Sequence, residues 1–397
     1  MNSRERVLAA LNHQQPDRTP IDIGATRQSG IAVSTYAKLK EHLGIDTPTR
    51  IYDMFQMLAE IEQPILDRFG VDVIGIHPLE ILPGAPNKDW KPWKLFDGTP
   101  VEVPGGFHPE VQENGDLLLK FPNGEAYAQM PCGGYYFDRI DKEPGAAHLA
   151  PEDMVVPILT DEECDRIGAQ AEAYRENTDK AIVAKVAPAH ELFFGLGNGD
   201  FSAWMITLAL EPDYVTSLYE RLTEGWLENL RRFESTVGDR VDVIQFNDDL
   251  GTQDRPFLAP DMFKDLIMPH YQAGLDWIHE NTDKKVFMHS CGAVYDFIPM
   301  LIEMGVDALN PVQITASGMD PIRLKEEFGD KISFWGGGCN CQQTLPFGSP
   351  EEVRKEAEHS LEVLGKDGGF IFTSIHNIQA NVPPENVIAL FDTALGK

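Results

Sequence analysis

The chain has 397 residues, of which 42% are hydrophobic and 24% charged, as in an ordinary globular protein of one large domain or two smaller ones. It carries 33 Lys and Arg against 63 Asp and Glu, for a net charge of −30. So acidic a chain argues against nucleic acid or an anionic membrane as a partner.

The start of the chain and its cysteines bear on location. Met1–Arg6 leads directly into a short amphipathic pattern, so we expect no export signal. No apolar run approaches the roughly 18 residues that a bilayer crossing requires. The five cysteines are an odd number, which favours free thiols in a reducing compartment over a disulfide framework. We therefore expect a cytoplasmic protein without a membrane partner.

The first part of the chain, residues 1–82, alternates helical and strand patterns. The predicted elements are a helix at Ser3–Asn12, a strand at Pro20–Gly24, helices at Ala32–Leu43 and Tyr52–Phe69, and a strand at Val71–Ile76. Residues 83–151 are instead rich in Gly and Pro and contain a hairpin pattern at 116–127. We interpret residues 83–151 as a β-rich insertion folded over one mouth of the main domain.

Residues 152–397 return to regular alternation. Six strands are predicted at Ala181–Val186, Val241–Phe246, Lys285–Ser290, Asp307–Val312, Ile332–Gly336 and Gly369–Ser374. Helical patterns separate them at Pro212–Ser235, Ala259–Glu280, Val294–Met304, Ile322–Phe328 and Pro350–Leu364. With the two earlier strands the count is eight, which predicts an α/β fold of the (β/α)8 TIM-barrel class. A doubly wound sheet would show the same alternation, but no GxGxxG follows the first strand.

Polar or reactive side chains follow every predicted strand. In strand order they are Arg27; His77; His190 and Glu191; Asn247, Asp248 and Asp249; His289 and Cys291; Asn310 and Gln313; Cys339 and Cys341; and His376 with Asn377. The active site of a TIM barrel lies at the carboxyl ends of its strands, so we expect these side chains to converge.

His289 and Cys291 are the pair that indicates a metal. They alternate along an extended chain, so both side chains leave the strand on the same side, where imidazole and thiolate suit Zn²⁺. A catalytic zinc needs a third protein ligand, for which His376 is the first candidate, Cys339 the alternative and Asp249 the third. The competing interpretation is a buried cysteine beside a hydrogen-bonded core histidine.

Four segments together resemble the uroporphyrinogen decarboxylase superfamily, which includes cobalamin-dependent methyltransferases. They are Arg27–Gly30, His289–Gly292, Leu345–Val353, and His376 with Pro383–Val387. The resemblance covers almost the whole chain outside the insertion.

Departures from the family pattern separate its branches. The decarboxylases carry two arginines in the first loop and a catalytic aspartate after the second strand; here Arg27 matches the first arginine, Ile31 replaces the second, and His77 replaces the aspartate. The methyltransferases bind zinc through His-x-Cys and a later Cys. His289 and Cys291 match the first part, and His376 stands at the position of the last ligand.

The resemblance therefore implies a zinc-dependent methyltransferase that works with cobalamin carried by a separate corrinoid protein, since the chain contains no Asp-x-His-x-x-Gly signature of its own. We favour O-demethylation of a small substrate such as a methoxylated aromatic, because Trp90, Trp93, Tyr135 and Tyr136 of the insertion could form an apolar pocket. Members of this group often form homodimers.

We assign the residue roles as follows: catalysis to Asp249 and His77; metal binding to His289, Cys291 and His376, with Cys339 as the alternative; substrate binding to Arg27, Asn247, Asp248, Asn310 and Gln313. Two alternatives stay open. One is a cofactor-independent decarboxylase that uses His376 and Arg27 on another carboxylated substrate, and the other is a non-catalytic barrel that binds a small molecule or a corrinoid.

Overall fold

The computed structural model describes residues 1–121, 123–140, 150–188 and 201–397. His190 and Glu191 lie outside the described residues. The first part of the chain contains α1 (Ser3–Leu11), α2 (Val33–Leu43), β1 (Ile51–Asp53), β2 (Leu58–Ala59), α3 (Gln63–Arg68) and β3 (Val73–Ile76).

Short antiparallel strands follow β3. They are β4 (Glu80–Leu82), β5 (Ala85–Pro86), β6 (Lys91–Lys94), β7 (Pro100–Val103), β8 (Glu110–Val111), β9 (Leu117–Lys120), β10 (Ala126–Met130) and β11 (Asp138–Arg139). They pair as two hairpins, β4–β5 and β6–β7, and as a four-stranded sheet in the order β11-β10-β9-β8. The hairpin predicted at 116–127 is present as β9 and β10.

The rest of the chain alternates as predicted. Its elements are α4 (Asp161–Asn177), β12 (Ala181–Lys185), α5 (Phe201–Leu210), α6 (Pro212–Val237), β13 (Val243–Asn247), α7 (Pro260–Leu266), α8 (Met268–Asn281), β14 (Lys285–His289), α9 (Ile298–Met304), β15 (Ala308–Asn310), α10 (Pro321–Phe328), β16 (Ser333–Trp335), α11 (Thr344–Phe347), α12 (Pro350–Leu364), β17 (Phe370–Ile371) and α13 (Pro384–Ala394).

Seven parallel strands form one curved sheet in the order β17-β16-β15-β14-β13-β12-β3. The segment predicted as the first strand bridges the two edges of this sheet. Ile21 pairs with Phe372 in parallel fashion on one side, and its carbonyl accepts a hydrogen bond from Asp72 N at 2.8 Å on the other. The eight predicted strand segments therefore surround a common axis, and the α/β TIM-barrel class is confirmed.

Small and apolar side chains fill the barrel interior, and α1 covers the amino-terminal end of the strands. The interior cluster consists of Val7, Ala10, Leu11, Ala25, Val73, Ala181, Val183, Val243, Phe287, Ala308, Trp335 and Ile371. With this end filled, the open end of the barrel is the one where the strands terminate, as expected for the fold. Within the described residues, no helix combines the length and apolarity that a bilayer crossing requires.

Two predicted helices differ from the structure. The helix predicted at Tyr52–Phe69 is wrong, because β1 and β2 form an antiparallel pair there and only Gln63–Arg68 is helical. The side chain of Asp53 stabilises the turn by accepting hydrogen bonds from the N–H groups of Phe55 and Gln56, each at 2.9 Å. The helix predicted at Ala259–Glu280 is divided into α7 and α8, since Pro269 begins a new helix.

Candidate metal centre and active site

Three side chains from two strand ends converge at the barrel mouth. His289, Cys291 and His376 each bring one ligand atom to within 4.8 Å of those of the other two. His289 is the last residue of β14, and its Nε2 lies 3.3 Å from Cys291 Sγ. His376 comes from the loop after β17, and its ring centroid lies 5.6 Å from that of His289. We call these three residues the trio.

Neighbouring amides orient both imidazoles. His289 Nδ1 lies 2.6 Å from Asn310 Oδ1, and His376 Nδ1 lies 2.8 Å from Asn377 Oδ1. Because Nδ1 of each ring bonds to an amide oxygen, Nε2 of each ring is available to bind a metal. Asn377 directly follows His376 in the sequence, where no pattern indicates this contact.

Burial sets the protonation of the trio. It lowers the pKa of His289 to about 4 and also lowers the pKa of His376, so both rings are neutral at pH 7. Burial, together with the nearby Asp249 carboxylate, raises the pKa of the Cys291 thiol. A divalent cation would oppose this last effect, because a coordinating thiol loses its proton.

Asp249 lies beside the trio. Its Oδ1 accepts a hydrogen bond from Cys291 N at 2.8 Å and is 3.6 Å from His289 Nε2. Gln313 supports the same turn, since its Oε1 accepts a hydrogen bond from Gly292 N at 2.8 Å. Gly292 has φ of +92°, and a Cβ there would lie 2.2 Å from Gly251 O, so this turn requires glycine.

Two predicted residues point away from the mouth. Cys339 is fully buried, and its thiol lies 3.2 Å from Glu356 Oε2 on α12, so the alternative third ligand is not brought to the trio. Asp248 is 1% exposed, and its Oδ2 accepts a hydrogen bond from the Tyr271 hydroxyl on α8 at 2.6 Å. The structure thus places Asp248 in the core, where it anchors the end of β13.

Three of the remaining predicted residues line a cavity of ≈ 240 Å³ beside the trio, which we call the mouth cavity. Arg27, His77 and Asn247 line it, together with Lys185 and Tyr52, for which no sequence pattern indicated a role. Asn247 is the register partner of His289 across β13 and β14, so the cavity adjoins the trio. Asn310 does not line it and acts instead on His289.

The polar groups of the mouth cavity are firmly held. Arg27 forms an ion pair with the buried Asp53. His77 stacks on Tyr52 with ring centroids 4.3 Å apart, and burial lowers the pKa of His77 to about 4. The cavity therefore presents a guanidinium and a neutral imidazole, which suits a small polar substrate better than a large apolar one.

One comparison identifies the family, and a second supports the fold. The sequence signature of the family described as "Uroporphyrinogen decarboxylase (URO-D)" matches residues 171–395, more than half of the chain. The chain belongs to the uroporphyrinogen decarboxylase family. Over its full length the fold resembles that of a methyltransferase from Methanosarcina mazei, with a TM-score of 0.58, 17% identity, and coverage of 100% of this chain and 99% of that one.

Curated relatives match over shorter segments. The uroporphyrinogen decarboxylase of Aliivibrio salmonicida is 34% identical over 90 residues, 20% of this chain and 24% of that protein. The uroporphyrinogen decarboxylase of Psychromonas ingrahamii is 24% identical over 179 residues, 44% of this chain and 46% of that protein. The chain thus matches less than half the length of either relative.

Proposed function

We propose that the protein is a zinc-dependent methyltransferase that moves a methyl group between a small methylated substrate and the cobalamin of a separate corrinoid protein. The convergence of His289, Cys291 and His376 at the barrel mouth is the observation that carries this proposal. Full-length fold similarity to a protein named as a methyltransferase supports it.

The chemistry of the trio fits zinc. Two imidazole nitrogens and one thiol are ligands that Zn²⁺ prefers, and three protein ligands are the number found at catalytic zinc sites with an open position. The two rings are neutral and oriented by amide oxygens, so their Nε2 lone pairs require no proton loss before binding. When bound, zinc would supply a Lewis acid at the heteroatom that carries the methyl group.

The surrounding residues then have distinct tasks. Asp249, 3.6 Å from His289 Nε2, is placed to hold a proton that the substrate heteroatom gains or loses during transfer. Arg27 and Asn247 would orient polar groups of the substrate in the mouth cavity. His77 stays neutral and offers an uncharged imidazole in the cavity wall. The partner's cobalamin would carry the methyl group, and this chain would supply position.

The substrate is proposed to be small and polar around its methyl-bearing atom. Of the four aromatic residues that favoured a methoxylated aromatic, Trp93 and Tyr135 line a different cavity that contains no residue of the trio, whereas Trp90 lines a cavity that shares Tyr52 and His77 with the mouth cavity. O-demethylation of a methoxylated aromatic stays a prediction. We further propose that residues 83–151 form an insertion over the mouth and that the protein acts in the cytoplasm.

The test uses the purified protein with a reduced corrinoid protein and a panel of methyl ethers, methylamines and methyl thioethers. We expect at least one donor to convert the cob(I)alamin spectrum to that of methylcobalamin, and Cys291→Ala to abolish the conversion. Cys339→Ala is the matched control, because that thiol faces Glu356, and it should retain the conversion. Methyl iodide shows separately that the corrinoid protein accepts a methyl group.

Failure of every donor, with a competent corrinoid protein, would contradict the proposal. The decarboxylase alternative makes the opposite prediction: release of CO₂ from a carboxylated substrate that needs His376 and Arg27 and persists in Cys291→Ala.

A further inference from the structure

A second cavity, of ≈ 150 Å³, lies between the start of α2 and the strands of the insertion. We call it the insertion cavity. Its walls are mostly apolar or aromatic, formed by Met57, Trp93, Phe96, Phe107, Leu117, Met130 and Tyr135. It shares no lining residue with the mouth cavity and contains no member of the trio. A ligand here would therefore be separate from the methyl-transfer centre.

The start of α2 forms the polar end of this cavity. Ala32, Val33 and Ser34, the N-cap residue and the first two residues of the helix, all line it. The first-turn N–H groups of a helix carry partial positive charge and need acceptors, which a Ser, Thr, Asp or Asn at the N-cap usually supplies. Ala32 cannot do so, and α2 has no side-chain cap. The Met57 carbonyl accepts a hydrogen bond from Val33 N at 2.9 Å, so the first-turn N–H groups that a ligand could reach are those of Ser34 and Thr35.

Ser34 adds an independent observation. Its side chain is buried, with 1% exposure, and its hydroxyl has no hydrogen-bond partner among the described residues. A buried hydroxyl without a partner is destabilising, because nothing replaces the hydrogen bonds that it lost with water, so such groups usually have a partner in proteins. The unpartnered hydroxyl and the uncapped helix start lie at the same end of one cavity.

A lysine at the rim of the cavity indicates that the ligand carries a negative charge. Lys94 lines the cavity and is exposed. A carboxylate would accept a hydrogen bond from the Ser34 hydroxyl, cap α2 and lie in the field of the lysine. The aromatic walls would hold a ring by edge and face contacts.

We propose that the insertion cavity binds a small aromatic carboxylate, with its ring among Trp93, Phe107 and Tyr135 and its carboxylate at Ser34 and the start of α2. The apolar walls exclude a polyanion such as a nucleotide, and the single polar end favours one acidic group. The cavity volume limits the ligand to about one ring. This site does not depend on the methyl-transfer chemistry.

The test is calorimetric titration of the full chain with benzoate and with phenylacetate, and with benzamide as the uncharged comparison. We expect saturable 1:1 binding of at least one carboxylate and weaker binding of benzamide. Ser34→Ala should weaken carboxylate binding about tenfold, since it removes a hydrogen bond to a charged group. Cys132→Trp, which places a large side chain at an exposed lining position, should abolish binding.

Two control variants make the result specific. Val111→Trp introduces the same side chain at an exposed site of the insertion outside the cavity, and it should leave binding unchanged. Arg27→Lys changes a side chain that lines the mouth cavity and not the insertion cavity, and it should also leave carboxylate binding unchanged. Absence of saturable binding by both carboxylates would overturn the proposal. So would binding that survives Ser34→Ala and Cys132→Trp, or that is lost in Arg27→Lys.

Discussion

The side chain of Asn310 fixes which ring nitrogen of His289 faces Cys291. Its Nδ2 donates to Trp335 O at 2.8 Å, which leaves Oδ1 to accept from His289 Nδ1 at 2.6 Å. The Nε2 lone pair of His289 therefore points toward Cys291 Sγ, 3.3 Å away. An amide at the end of the neighbouring strand thus determines the tautomer of a proposed metal ligand.

Replacement of Asn310 by Ala should weaken zinc binding. Without the amide oxygen the ring can rotate or change tautomer, and loss of such supporting contacts typically costs about 10- to 100-fold in metal affinity. Competition with a chromogenic zinc chelator measures the effect. Asn281→Ala on the exposed side of α8 is a control that should change nothing. Equal zinc affinity in Asn310→Ala and the parent protein would show that the contact does not orient a ligand.

Asp249→Asn should separate metal binding from turnover. The amide keeps an oxygen acceptor for Cys291 N but cannot take up a proton. We expect bound zinc to stay near the parent value and methyl transfer to slow about 100-fold, within the range of general acid–base contributions. The readouts are zinc content and the rate of methylcobalamin formation. Unchanged turnover would remove Asp249 from the chemistry and leave it a structural role.

His77 should make the protein sensitive to acid. Its pKa is about 4 when folded and about 6.5 when unfolded, because burial disfavours the cation. Between those values only the unfolded chain binds the proton, so the free energy of unfolding falls as the pH falls from about 6.5 toward 4. Above pH 6.5 His77 is neutral in both the folded and the unfolded state, so it no longer makes the free energy of unfolding depend on pH.

The measurement is urea unfolding at pH 7 and pH 4.5 for the parent protein and for His77→Gln. On acidification from pH 7 to pH 4.5, we expect the free energy of unfolding of the variant to fall by about 2 kcal/mol less than that of the parent protein. Asp22, whose pKa burial raises to about 6, acts in the opposite direction, but both proteins retain it. An identical pH dependence in the two proteins would contradict this role of His77.

Asp72 holds the first strand segment against β3. The buried carboxylate accepts hydrogen bonds from Arg6 and Arg18 at 2.7 Å and from Ile21 N at 2.8 Å. Asp72→Ala would leave the arginines without their buried partner, so we expect a loss of about 3–5 kcal/mol in the free energy of unfolding. Asp17→Asn, at the exposed end of the Arg6 pair, is the matched control and should cost less than about 1 kcal/mol. Similar losses in both variants would argue against this role.

The barrel and its mouth could be predicted from sequence because buried parallel strands appear as short apolar runs that end in polar residues. His289 and Cys291 were identifiable because their spacing places both side chains on one side of a strand. The structure brings His376 to them from a loop, as predicted.

Other features depend on contacts that sequence periodicity does not show. The apolar spacing of Met54, Leu58 and Ile61 fits a helix, yet a hairpin with both strands buried is compatible with the same residues. The direction of Cys339 depends on Glu356, which lies on a helix 17 residues later. In the sequence Ser34 is an ordinary helical residue, and its place in a cavity wall depends on the packing of β6, β9 and β10 beside it.

Metal analysis of the purified protein tests the central claim most directly. We predict close to one zinc per chain, retained in Cys339→Ala and lost in Cys291→Ala and His376→Ala, with the fold of each variant checked by circular dichroism. A parent protein that binds no zinc even when zinc is supplied, or zinc that persists in a folded Cys291→Ala variant, would contradict the assignment of a metal to this barrel mouth.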